Sequence, residues 1–150
     1  MQGSLSKEQC EDVLNAELLG RIGCYAFGKV YVVPVAYAFE KNCLYIHSRE
    51  GQKIKMMRKN PKVCFEVESK ENMVNWRTVI VWGRYEEMKT SAEQNKAMKI
   101  LNDRFLPFQV SETVKPALVH DPPHEIEKER KPVIYRISVE EISGRYEKGN

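Results

Sequence analysis

Between residues 133 and 142 apolar side chains take alternate places, Val133, Tyr135, Ile137 and Val139 against Ile134, Arg136, Ser138 and Glu140, which predicts a strand with two unlike faces. Strand-like stretches also cover residues 21–27 and 30–39, with a tight turn at Gly28 and Lys29 between them, and then 43–47, 63–68 and 76–88. Helical spacing replaces alternation in three places. Residues 6–17 begin with a capping box, Ser6-Lys7-Glu8-Gln9, and carry Val13, Leu14 and Leu18; Gly20 ends that segment. Ile54 and Met57 share a face of a short basic segment that Asn60-Pro61 stops. Ala97, Ile100, Leu101 and Phe105 give the helix 91–106, with Ser91 and Gln94 as a second capping box and Pro107 at its end. Residues 107–131, with Pro107, Pro116, Pro122 and Pro123, predict a long irregular loop of the kind that serves as a lid or a partner contact or is partly disordered.

The predicted order is αβββαββαβ, without an internal repeat or a separating linker. It describes one domain over residues 1–150, mainly β, with flanking helices. Antiparallel hairpins closed by a last strand suggest a small, partly open barrel rather than a parallel doubly wound sheet. Pro34 lies inside a predicted strand. Because proline donates nothing to a ladder, that strand is at an edge, bulged, or beside a ligand.

Composition changes this picture little. The 150 residues are 42% hydrophobic and 30% charged, as in ordinary globular proteins, and the net charge of +3 is scattered, which gives no footprint for nucleic acid. No apolar run approaches the roughly 20 residues of a membrane span, and the first residues lack the apolar core of a signal peptide. Cys10, Cys24, Cys43 and Cys64 are far apart and read as reduced thiols, Cys24 and Cys64 as small apolar core residues; a cytoplasmic location follows by default.

The chemistry concentrates at residues 44–65. A strand feeds Ser48-Arg49-Glu50-Gly51, which feeds the first turn of the basic helix. A helix N-terminus offers backbone N–H groups and a positive dipole end to an anion such as phosphate. Ser48 adds a hydroxyl, Gly51 lets the backbone come close, and Lys53 brings a full charge. The plain alternative is a strand–helix connection with a solvated basic face. His120 and His124, in HDPPH, stand at a metal-like spacing, but the prolines between them oppose a helix, so no metal site is expected. Trp76 and Trp82 are expected in core or interface packing.

Three segments, LLGRIGCYAFGKVYVVPVAY (18–37), LYIHSREGQKIKMMRKNPKVCFEV (44–67) and NWRTVIVWGRYEEM (75–88), together resemble the flavin-binding split barrels typified by pyridoxamine 5′-phosphate oxidase, most closely the small nitroimidazole-resistance-type proteins. The resemblance implies a six-stranded antiparallel Greek-key barrel with FMN at the interface of a homodimer. Val33, Pro34 and Val35 match flavin-ring contacts, and Ile46 and His47 match the strand end along the cofactor. Gln52 and Lys53 match the family's phosphate-holding Arg-Lys pair, with glutamine replacing arginine; Ser48 and Arg49 are candidates to compensate. Thr78 stands where the family's glutamine reaches the partner's flavin. The oxidase's C-terminal substrate motif of arginine and histidine has no counterpart in ISGRYEKGN, which argues against pyridoxamine phosphate as substrate. The implied activity is FMN-dependent reduction of a small nitroaromatic or quinone-like compound with nicotinamide-derived electrons, His47 being either a proton donor or a simple hydrogen-bonding residue. A non-catalytic flavin carrier or sensor, and less readily a haem-binding split barrel, are the alternatives.

Overall fold

The computed structural model describes residues 1–108 and 131–149. The expected loop lies almost wholly outside them, as do His120 and His124. The elements are β1 (Gln2–Ser4), α1 (Lys7–Ala16), β2 (Leu19–Ala26), β3 (Lys29–Ala36), β4 (Ala38–Glu40), β5 (Cys43–Arg49), α2 (Gln52–Lys59), β6 (Lys62–Asn72), β7 (Asn75–Glu87), α3 (Ser91–Phe105), a 3₁₀ turn (Leu106–Phe108) and β8 (Pro132–Glu147). The strands form one antiparallel sheet in the order β3-β2-β6-β7-β8-β5-β4, with β1 added to β8. This is the mainly β split barrel expected.

The eight strands among the described residues exceed the expected six for identifiable reasons. The predicted strand 30–39 is two strands, β3 and β4, divided at Tyr37. The Tyr37 amide donates to the Leu18 carbonyl at 3.1 Å and its buried hydroxyl donates to the Leu14 carbonyl at 2.7 Å. Its ring meets Phe65 edge-on at 5.1 Å, so the chain turns a corner there, passing from β2 to β5. The other addition, β1, is three residues long and shows no period of its own.

Two hairpins carry the turn chemistry that the twist of paired strands prefers. Phe27 and Gly28 (φ 55° and 71°) join β2 to β3; Lys41 and Asn42 (φ 47° and 63°) join β4 to β5. Ser6 caps α1 as the sequence indicates, its side chain accepting from the Gln9 amide while Gln9 accepts from the Ser6 amide.

The barrel interior is the main core. Ile22, Leu44, Ile46, Phe65, Val67, Val79, Val81, Tyr135 and Ile137 point inward, with α1 contributing Cys10, Val13 and Leu14 and α2 contributing Ile54, Met56 and Met57. A second cluster lies outside the barrel, where Ala97, Leu101 and Phe105 of α3 cover Tyr45, Ala38 and Met88. Cys24 belongs to the core as expected. Cys64 does not: it lies half-buried on the outward face of β6, because its neighbours Val63 and Phe65 take the inward positions. Among the described residues no helix is long and apolar enough to cross a membrane.

Candidate functional site

β5 brings the candidate residues to one end of the barrel. It lies against β8, with His47 opposite Ile134, Ser48 opposite Val133 and Arg49 opposite Pro132. The Glu50 amide then donates to the Lys131 carbonyl at 2.9 Å. Gly51 is the N-cap of α2 and brings no side-chain cap to the first turn, which also lacks an acidic residue. Ile54, Met56 and Met57 bury one side of this eight-residue helix and thereby fix where its N-terminus points. Ser48, Arg49, Gly51 and Lys53 are half-buried around that terminus, and Gln52 is exposed. Among the described residues the Ser48 hydroxyl has only a long contact, 3.5 Å to the Arg49 carbonyl. The Lys53 ammonium is close enough to β2 to favour the thiolate of Cys24, although burial, the larger effect, pushes that thiol up.

His47 is half-buried on the outward face of β5. Burial, and then the positive charge of Arg49, push its pKa below the ordinary value. The imidazole is therefore neutral at neutral pH and has one nitrogen to donate and one to accept.

The remaining predicted residues are placed less uniformly. Pro34 pairs with Arg21 on one side and is at the sheet edge on the other, which selects the edge reading. It is exposed, whereas Val33 and Val35 are half-buried and point to the opposite face. A flat ring laid on β3 would thus meet Val33 and Val35 on one face and Val30, Val32 and Pro34 on the other. Ile46 is 1% exposed inside the main core, so its side chain is not presented to any ligand outside the barrel. Thr78 stands on the outward face of β7, away from the loop, and donates to Glu66 Oε2 at 2.9 Å.

Two features were not anticipated from the sequence. The outward face of the sheet carries a row, Val32–Gly23–Cys64–Trp82, flanked by Val30 and Tyr25; Val30 is 71% exposed, Val32 62% and Trp82 40%. Only the register of four strands assembles it. The second is a charge network on α2: Arg58 binds Glu50 and Glu87 together.

A cleft of about 720 Å³ opens elsewhere, among Gln9, Lys70, Trp76, Arg77, Tyr146 and Glu147. It does not include the 48–53 loop, and its Trp76 indole N–H is occupied by Glu147 at 3.1 Å. The loop, with its hydroxyl, ammonium and guanidinium groups at a helix N-terminus, is the better candidate for ligand chemistry.

Fold and loop define a split β-barrel with an anion-suited loop at one end. The chain belongs to the pyridoxamine 5′-phosphate oxidase family, whose model matches residues 6–146. It is similar to an FAD-binding protein of Mesorhizobium loti (30% identity, TM-score 0.78, covering 97% of this chain and 98% of that one). A candidate 5-nitroimidazole antibiotic resistance protein of Bacteroides thetaiotaomicron shares the fold at 20% identity and TM-score 0.75, over 97% of this chain and 87% of that one. An uncharacterized protein of Rhizobium meliloti is 40% identical over 84 residues; that match spans 56% of this chain and 56% of the relative, so the chain covers about half the length of the curated relative it matches.

Proposed function

We propose that this protein binds a flavin, with the phosphate at the 48–53 loop, and acts as a flavin-dependent oxidoreductase on a small nitroaromatic or quinone-like compound. The observation that carries the reading is the loop itself. In a chain of this family it places Ser48, Arg49 and Lys53, all half-buried, on the short stretch that leads from His47 into an α2 N-terminus without a side-chain cap, and Arg49 lies close enough to act on the neutral imidazole of His47. That donor set fits a phosphate monoester or a pyrophosphate.

When bound, a flavin supplies the electron transfer. The chain's own part is to bind and orient. Ser48, Lys53 and the first turn of α2 hold the phosphate, with Gln52 and Arg49 at the rim, and the β3 edge at Val33, Pro34 and Val35 offers backbone and apolar surface. His47 holds or donates one proton at a ring nitrogen. The backbone of Ile46 supports His47 from within the barrel wall.

A homodimer belongs to the same proposal, supported by the apolar row Val32–Cys64–Trp82 on the outward face. A reducing compartment, the cytoplasm, accords with four unbridged cysteines. FMN is the flavin proposed; FAD is the second reading, favoured by the name of the M. loti relative.

The test is the absorption spectrum of purified protein, chromatography of the released flavin, and oxidation of NADH or NADPH with a nitroaromatic or quinone acceptor. Flavin bands with turnover support the proposal. Flavin bands without turnover with either donor reduce the protein to a flavin carrier, and a colourless protein that binds neither FMN nor FAD overturns the reading.

A further inference from the structure

An acidic residue beside a helix N-terminus is ordinarily drawn to the amides there, both as a hydrogen-bond acceptor and through the dipole. Glu50 immediately precedes the N-cap of α2, yet its carboxylate is directed elsewhere. Arg58, in the last turn of the same helix, binds it with two parallel hydrogen bonds, Nη2 to Oε1 at 2.6 Å and Nη1 to Oε2 at 2.9 Å. Side chains on a helix lean toward its N-terminus, which is how a residue near one end reaches a carboxylate beside the other. The guanidinium is held in turn by Glu87, Nε to Oε1 at 2.8 Å and Nη2 to Oε2 at 3.2 Å, and Tyr85 donates its hydroxyl to Glu87 Oε1 at 2.6 Å. With both carboxylates on it, Arg58 is engaged on every nitrogen and is no ligand for a phosphate.

We infer that Arg58 is a positioning residue for flavin selectivity: by clamping Glu50 along α2 it keeps a negative charge off the phosphate seat. The inference rests on the flavin reading above. The clamp is a partly exposed but bidentate network, so it adds to stability as well, and its effect on the loop is separate from that. Its consequence is local. Without Arg58 the Glu50 carboxylate swings to the uncapped first turn and competes there with phosphate. Arg58 acts through Glu50 alone in this respect, because Glu87 reaches it from β7.

FMN and riboflavin differ only by the phosphate, so their ratio of affinities isolates the effect. Both are titrated by fluorescence quenching into wild type, Arg58→Gln, Glu50→Gln and the double variant. Arg58→Gln is expected to weaken FMN about tenfold while riboflavin stays within about twofold, on the scale of one charge at a helix terminus and its hydrogen bond. Adding Glu50→Gln restores FMN affinity. Equal losses for both flavins, or a double variant as weak as Arg58→Gln, overturn the inference and leave Arg58 a structural residue. Should Arg58→Gln not fold, Glu50→Gln alone decides: unchanged or tighter FMN binding supports the clamp, and weaker FMN binding overturns it. A wild type that binds neither flavin overturns the functional reading, and the inference with it; a wild type that binds both confines any failure to Arg58.

Discussion

The Thr78 hydroxyl donates a 2.9 Å hydrogen bond to Glu66 Oε2 on the neighbouring strand, while Arg21 from β2 bonds the other oxygen at 3.2 Å. Three strands are thus tied across the outward face through one carboxylate. The proton of Thr78 is committed to Glu66, although the family resemblance led to the expectation that this position faces a partner's flavin. Thr78→Val should lower stability by about 1 kcal/mol in urea denaturation, the scale of a hydrogen bond to a charged group that is still partly solvated, and leave flavin affinity within about twofold. A tenfold loss of affinity with stability unmoved would instead put Thr78 at the flavin.

Trp82 lies opposite Cys64, and Gly23 and Val32 continue that row to the sheet edge. The absence of a side chain at Gly23 leaves Val32 and Trp82 standing above a flat centre, a shape that suits a second copy. Central aromatic residues carry much of the energy of such contacts. Trp82→Lys is expected to raise the dimer dissociation constant by about thirtyfold or more, read by sedimentation velocity across a dilution series. A wild-type protein that sediments as a monomer at every concentration would refute the homodimer.

Lys53→Ala removes a full positive charge from the first turn of α2. A charge-assisted hydrogen bond is worth about 1.5–3 kcal/mol, so FMN affinity should fall by about tenfold or more while riboflavin affinity changes little. Unchanged FMN affinity together with a shifted melting temperature would show that Lys53 serves the packing near Cys24, whose thiol its charge already influences.

The parts of the molecule legible in the sequence are those specified by local signals. The Ser6–Gln9 capping box, the halt of α2 at Asn60-Pro61 and the alternation in β8 each report their own segment and were read correctly. The break at Tyr37 was not legible, because it depends on a hydroxyl reaching Leu14 and a ring meeting Phe65, 23 and 28 residues away. Cys64 was misread for a related reason: within an apolar strand the inward phase is set by pairing, here with Trp82 outward and Val81 inward. In the candidate site, the 48–53 loop is contiguous and could be seen directly. The Arg58–Glu87 contact joins α2 to β7 and becomes visible only in three dimensions.

His47 makes the pH dependence specific. Its folded pKa is depressed below the ordinary 6.5, first by burial and second by the Arg49 charge, so the unfolded chain takes up a proton more readily than the folded one. The stability linked to this residue is therefore complete above pH about 6.5, the unfolded value, and is lost as pH falls toward the folded pKa. Proton NMR of the imidazole should give a midpoint below 6.5, and Arg49→Gln should move that midpoint upward by relieving the lesser of the two causes. His47→Gln should flatten the fall in melting temperature between pH 6.5 and the folded midpoint relative to wild type. A midpoint above 7 would mean that the imidazolium is stabilised in the fold. His47 would then enter any reaction charged, as a proton donor already loaded at neutral pH, and not as the neutral group its burial beside Arg49 implies.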